Sequence, residues 1–323
     1  MMTSAAPKAV TEEIGSRSPA GGRALRGGLP AALAVVYLVW GSTYLALRVG
    51  VQHLPPLTLN AARFLIAGLL LYGWCAWQRR RRPLAGWQPP TWRHWRSSAV
   101  LGLALPAAGT GGAAWAEQKL PSGTAALLLA SIPLWLIIAS RVALGERITG
   151  WSGCGLVLGL AGVAVLANPF TSGAGDPVAT AVALAGAMAW GCGSVYAKRA
   201  PHPGQPLLAS AMQMICAGVA MAVLAAATGE FGRIHASSLV STSGLALGYL
   251  TVFGSILAYS TYEWLIRHAP GGLAGTYAFV NPVVAVLLGW WLLGERLSGR
   301  TLVATVIIVA GVALIVASTR RAQ

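Results

Sequence analysis

The sequence predicts an all-α polytopic membrane protein, with ten transmembrane helices in two inverted-topology repeats of five helices each. Three observations predict it. The 323-residue chain is 56% hydrophobic and only 10% charged, where a soluble domain carries about 25%. Its charges cluster and leave apolar runs of about 20 residues, the length a helix needs to cross about 30 Å of hydrocarbon. The second half of the chain also repeats the first in register.

Backbone groups in lipid must be satisfied within the segment, so each apolar run is expected to be a helix. Residues 1–28, rich in Ala, Gly, Ser and Arg, read as a disordered cytoplasmic tail. The first run, 30–50, exceeds the apolar core of about 7–15 residues of a signal peptide and is expected to be retained. The second, 57–77, ends on the basic run Arg79–Arg82. The third, 97–117, holds several polar residues, as does its counterpart at 243–265. The fourth, 122–141, carries Pro133 near its middle. The fifth, 150–168, places Gly155, Gly159 and Gly162 on one face, which favours close helix packing. Spans 178–198, 206–227, 243–265, 271–292 and 300–318 complete the chain, with Pro282 inside the ninth. The units are therefore 29–169 and 177–319.

The repeat is explicit. The stretch LGER occurs at Leu144–Arg147 and at Leu293–Arg296, and each copy precedes an apolar run that carries AGVA near its end. At the same offset Pro121 matches Pro270, Gly123 matches Gly272, Pro133 matches Pro282 and Trp115 matches Trp264. One residue out of that register, WGSTYLALR from Trp40 faces WGCGSVYAK from Trp190, and Arg63 faces Gln213. Five spans is an odd number, so the second unit enters the membrane from the opposite side. Inverted repeats of this kind are typical of secondary transporters, with the substrate site near the midplane between the halves. The LGER turns themselves read as closures of helical hairpins, with Glu favoured near a helix N-terminus.

A net charge of +15 invites a nucleic-acid reading, but the position of the charges argues against one. With the N-terminus inside, the inner side holds Lys8, Arg17, Arg79–Arg82, Arg93, Arg96, Arg141, Arg147, Lys198, Arg199, Arg267, Arg320 and Arg321, among others. The outer side holds Arg48, Lys119, Arg233, Arg296 and Arg300. This is the positive-inside asymmetry, and it puts both termini in the cytoplasm. The Arg79–Arg82 run reads as a topology anchor, with a lipid headgroup or partner site as the alternative. Cys75, Cys154, Cys192 and Cys216 all fall within spans and form no CxxC pair, so neither a metal nor a redox site is expected.

Four stretches carry a family resemblance: VWGSTYLALRVGVQHLPPLTLNAARFLIAG (39–68), AEQKLPSGTAALLLASIPL (116–134), AWGCGSVYAKR (189–199) and YAFVNPVVAVLLGWWLLGERLS (277–298). Together they resemble the EamA family of the drug/metabolite transporter superfamily, and within it the YedA-type exporters. The resemblance extends over almost everything after the tail. It implies ten helices in two inverted EamA repeats, in a bacterial inner membrane, with transport of small metabolites, often by efflux. No cofactor is implied, and a monomer and a homodimer are both open.

Ionisable residues inside the membrane are costly and are functional hypotheses by default. Arg63, two turns into the second span, can clamp a substrate carboxylate with its planar fork. It can equally pair with Glu117 or reach toward the outer interface. Glu117 and Glu263, on matching helices of the two units, are coupling or gate candidates, and Glu117 beside Lys119 also reads as a solvated rim charge. Trp40, Thr43, Tyr44, Trp190, Ser194, Tyr259, Tyr262, Tyr277 and Asn281 are candidates to line a central cavity for an amphipathic metabolite. Helix packing and an interfacial aromatic belt are the competing readings. Pro133 and Pro282 are candidate helix breaks at a binding site; kinks needed only for packing are the alternative.

Secondary transport by alternating access, most simply export of small metabolites or amphipathic drugs, is the function expected, with a proton-coupled importer as the runner-up. An intramembrane enzyme is disfavoured, because HExxH, GxSxG and P-loop motifs are missing and His53, His94, His202, His235 and His268 all fall in predicted loops. A channel would show a filter or a ring of like charges, and neither is visible.

Overall fold

The computed structural model describes residues 19–81, 89–116, 118–120, 128–146, 148–167, 176–234, 242–293 and 299–321. Every regular element among them is helical. In chain order these are α1 (Pro19–Gly50), α2 (Pro56–Arg81), α3 (Trp92–Ala116), α4 (Ile132–Leu144), α5 (Gly150–Ala167), α6 (Pro177–Ala197), α7 (Pro206–Ala227), α8 (Thr242–His268), α9 (Tyr277–Leu293) and α10 (Gly299–Arg321). A 3-10 turn, Glu230–Arg233, follows α7, and a single turn, Gly271–Ala274, precedes α9. Among the described residues, seven helices are long and apolar enough to cross a membrane: α1, α2, α3, α6, α7, α8 and α10. The chain is a multi-pass membrane protein.

Helix starts follow ordinary capping chemistry. Pro stands at the first helical position of α6 and α7, where its missing N–H is not needed. Asp176 caps α6 by accepting from Val178 N at 2.8 Å and Ala179 N at 3.1 Å. α1 begins at Pro19, inside the segment expected to be a tail; residues 1–18 lie outside the described residues. α4 ends on Gly145 at φ +69°, a left-handed conformation that glycine adopts without a Cβ penalty.

The helices pair by their place in the repeat. α2 packs along α7 and α5 along α10, the two most extensive contacts of the fold. Both pairs run antiparallel. Gly68 of α2 lies against Ala211 and Ile215, while Gly218 of α7 lies against Leu65. Gly155 meets Gly311 and Ile315, while Gly162 meets Ile308 and Ala304. The expected glycine face of α5 is therefore a packing seam. A Cβ at Gly155 would lie 2.7 Å from the Gly311 carbonyl oxygen, so the two backbones touch. α1 packs on α8 and α9 of the other unit, and α6 packs on α3 and α4.

Two features of the middle helices were not visible in the sequence. α3 turns π-helical over Leu103–Gly111, and α8 does so over Leu250–Tyr259. These are the two polar spans, and they occupy the same place in the two units. The widened turns leave backbone groups for other partners and are frequent at functional sites.

The two prolines stand in different settings. The fourth span is interrupted at Ala130 and Ser131, and Pro133 lies in the first turn of α4, just after that break. Pro282 lies inside the continuous helix α9. The interruption there comes earlier, at Gly275 and Thr276, between the single turn and α9. One proline removes one bond, in this case the one to Ala278 O, and packing against α1 and α10 holds the rod together.

The main core is shared by α1, α2, α3, α6, α7, α8 and the start of α9, centred on fully buried Val36, Phe64, Leu105, Met214, Tyr259 and Tyr262. A second core around Val163, Phe279, Ile308 and Ile315 joins α5, α9 and α10.

Candidate functional site

Between the two units lies a cavity with an empty volume of about 870 Å³, its open mouth included. α1 contributes Trp40, Thr43, Tyr44 and Leu47; α2 contributes Arg63 and Phe64. The π-helical part of α3 and the turn after it give Gly109, Thr110, Ala113 and Ala114. Leu129 and Ile132 come from the approach to α4 and its start, Trp190 from α6, Gly254 and Tyr259 from the π-helical part of α8, and Tyr277, Ala278 and Asn281 from the start of α9.

The floor is aromatic. Trp40 and Trp190, the repeat-related pair, meet edge to face at 5.6 Å. Tyr277 lies 4.9 Å from Trp40 and Tyr262 lies 5.1 Å from it, both measured between ring centroids. Such geometries add to area burial and hold the rings in fixed positions. Each tryptophan leans on the π-helical segment of the opposite unit. Trp40 Nε1 donates to the Gly254 carbonyl at 3.1 Å. The Trp190 ring occupies the space a side chain at Gly109 would need. The irregular helices and the tryptophans thus form one construction.

Arg63 is the only charged residue among the described residues that line the cavity. Its side chain is buried and held from two sides: Nε donates to Ser255 Oγ at 3.0 Å and Nη1 to Asn60 Oδ1 at 3.3 Å. Its guanidinium carbon sits 4.5 Å from the Phe64 ring centroid. Neither hydrogen-bond partner is a carboxylate. Glu117, the competing partner suggested by the sequence, lies outside the described residues. Asn281 is buried at 3% exposure, lines the cavity, and its Oδ1 has no hydrogen-bond partner. An unmet buried acceptor is costly, so a ligand donor is well matched there.

Two candidates lie behind the floor and outside the cavity. Tyr262 Oη accepts from Trp190 Nε1 at 3.0 Å and bonds Ser194 Oγ at 2.8 Å. Ser194 also donates to Trp190 O at 2.7 Å. Their position fixes the Trp190 ring. The remaining aromatic, hydroxyl and amide candidates from the sequence, Trp40, Thr43, Tyr44, Trp190, Tyr259, Tyr277 and Asn281, reach the cavity with Arg63.

Glu263 does not line it. Its carboxylate is 1% exposed, paired with Arg267 Nη2 at 2.8 Å and accepting from Gln213 Nε2 at 3.1 Å. Gln213 Oε1 in turn accepts from Tyr259 Oη at 2.7 Å. A buried polar chain therefore runs from the cavity wall to Arg267. Gln213 was visible in the sequence only as the repeat counterpart of Arg63. Outside the spans, Asp176 is held below the usual carboxylate range, chiefly by the hydrogen bond from the Ala179 backbone, with Val178 N and Lys119 adding to it.

Comparison with known proteins identifies the family. The pattern of the EamA-like transporter family matches residues 28–168 and 178–317. The chain is 40% identical over 286 residues to the uncharacterized inner membrane transporter YedA of Escherichia coli K12, covering 88% of this chain and 89% of that one. It is 26% identical to a probable amino-acid metabolite efflux pump of the same organism, covering 86% and 91%. A solved crystal structure matches with a TM-score of 0.74 at 23% identity, over 92% of this chain and 99% of the other, which supports the fold. With both units matched, the chain belongs to the EamA-like transporter family.

Proposed function

We propose that this protein is a secondary transporter that exports small amphipathic metabolites or drugs, amino-acid-like compounds among them, across a bacterial inner membrane by alternating access. The observation that carries the reading is the cavity between the repeat units, with aromatic walls and Arg63 as its only charged residue among those described. A cationic group would meet the guanidinium, so a substrate with a carboxylate suits it best. Arg63 would hold that carboxylate, Asn281 would accept from a donor on the ligand, and Trp40, Trp190, Tyr259 and Tyr277 would enclose its apolar part, with Thr43 and Tyr44 on the wall. Tyr262 and Ser194 would act by holding Trp190. The names of relatives, an inner membrane transporter and a probable amino-acid metabolite efflux pump, point the same way.

Ten spans in two inverted units fit the antiparallel packing of α2 on α7 and of α5 on α10. The cation asymmetry supports cytoplasmic termini. A second reading, proton-coupled import, draws on Glu263, buried with one carboxylate oxygen unpartnered; Glu117 would serve the other mouth.

Purified protein in liposomes tests these readings by counterflow of amino acids and of cationic drugs, with and without a pH gradient. Saturable exchange of carboxylate compounds is expected. Arg63→Lys keeps the charge but not the fork, and should weaken carboxylate substrates by about tenfold to a hundredfold, the worth of a charge-assisted hydrogen bond of about 1.5–3 kcal/mol. Unchanged half-saturation in Arg63→Lys and Arg63→Ala removes the clamp. Gradient-driven flux that survives Glu117→Gln with Glu263→Gln removes both as coupling groups.

A further inference from the structure

The LGER turn at Leu144–Arg147 does more than close a hairpin. The left-handed Gly145 swings the chain so that Glu146 reaches the other unit. Glu146 Oε1 lies 2.7 Å from Lys198 Nζ, at the end of α6, and Oε2 accepts from Gly271 N at 3.3 Å, at the start of the single turn before α9. One carboxylate of the first unit thus ties two separate segments of the second. The surfaces beside it fit closely. Leu136 and Ser140 of α4 fill the space a Cβ on Gly271 would take, and Pro133 lies against Gly275. The pair is only partly exposed, with side-chain exposures of 15% for Lys198 and 34% for Glu146.

Its place in the fold gives the contact meaning. On the α4 side the cavity is lined by Leu129 and Ile132, before and at the start of the helix, while Glu146 follows its end. About 20 Å of helix separates them, at about 1.5 Å per residue. Behind the Trp190 floor, Ser194 and Tyr262 are both buried, and Ser194 lies on α6 between Trp190 and the Lys198 end. An ion pair joining the units at the end away from the cavity is the contact that must open if the cavity is to be exposed at that end.

We propose that Glu146 is a gating residue of the transport cycle, a latch that holds the two units together at the end where α4 and α6 finish and is released when the cavity opens there. This rests on the alternating-access reading, but its test needs no substrate. A single reporter cysteine, Ala274→Cys, is placed in the turn that Glu146 holds, in a chain whose Cys75, Cys154, Cys192 and Cys216 are replaced by Ser. In proteoliposomes, a membrane-impermeant thiol reagent is applied to one face and then the other. Glu146→Gln and Lys198→Met should each speed modification from the latch face by about tenfold, the factor that about 1.4 kcal/mol gives. The exchange Glu146→Lys with Lys198→Glu restores the ion pair but not the bond from Gly271 N, so it should return the rate most of the way.

Unchanged rates in both single variants, or no recovery in the exchanged pair, overturn the latch. So does acceleration from both faces alike, because that reports a loosened fold. If the latch variants open this face while counterflow finds no transport, the latch stands and the transport reading falls.

Discussion

At the scale of single residues, the most informative group is one with nothing to bind. Asn281 Oδ1 is buried in the cavity wall without a partner. A site built only for packing would place an apolar side chain there, because an unmet buried acceptor costs about 1–3 kcal/mol. Asn281→Leu therefore has a two-sided expectation. The thermal midpoint of the purified protein should hold or rise, while the half-saturation concentration of the exchanged substrate should increase by about tenfold or more. A drop in both stability and transport would mark Asn281 as a structural residue. Arg63 presents the converse case. Its partners Ser255 and Asn60 hold the guanidinium in place, and neither of them carries a charge. The sequence singled out Arg63 because an arginine mid-span is rare. Nothing in the sequence named Ser255, one of many hydroxyls in apolar runs.

At the scale of elements, the glycine seam and the helix cap make separate predictions. Gly311 has no room for a side chain: a Cβ would lie 2.7 Å from Gly159 N. Gly311→Val should destabilise the α5–α10 pair by about 1–3 kcal/mol, as overpacking does. Gly153, on the partner helix α5, faces open space: a Cβ there would meet no neighbouring atom within 4 Å, so Gly153→Val should leave the thermal midpoint nearly unchanged. Equal shifts in the two variants would show that the seam is not where the helices are held. For the cap, the Asp176 carboxylate is favoured in the folded state by the Ala179 and Val178 amides and by Lys119. Its folded pKa is depressed, so its stabilisation is present above the ordinary carboxylate range and is lost as pH falls through the depressed value. Asp176→Ala should lower the thermal midpoint at neutral pH, Asp176→Asn less so, and the gap to the parent should close in acid. A gap that is constant with pH would deny the carboxylate this role. Helix positions were legible because apolar runs announce themselves. The π-helical stretches of α3 and α8 were not, because a widened turn leaves an apolar run unchanged; in the fold Trp190 lies against Gly109 and Trp40 bonds the Gly254 carbonyl there. Pro282 makes no break for a related reason: it is tolerated inside α9, where neighbouring helices hold the rod, while Pro133 does follow an interruption of its span.

At the scale of the whole molecule, the repeat is the feature that travels furthest from sequence to mechanism. The offset that aligned Trp40 with Trp190 brings those two rings into contact on the floor of the cavity. Sequence symmetry here became spatial symmetry because equivalent helices pair across one axis: α2 with α7 and α5 with α10. Antiparallel pairing of equivalent helices is what two units inserted from opposite faces produce, and it makes a definite prediction about sidedness. The turn between α4 and α5 and the turn between α9 and α10 should lie on opposite sides of the membrane. Single cysteines at Thr149 and Ser298, in a chain without its native cysteines, test this in intact cells with a membrane-impermeant thiol reagent. Ser298→Cys should be modified from outside. Thr149→Cys should be modified only after the membrane is opened. Modification of both from one side would mean that an even number of spans separates them, and the inverted arrangement, with the alternating-access mechanism built on it, would fail together.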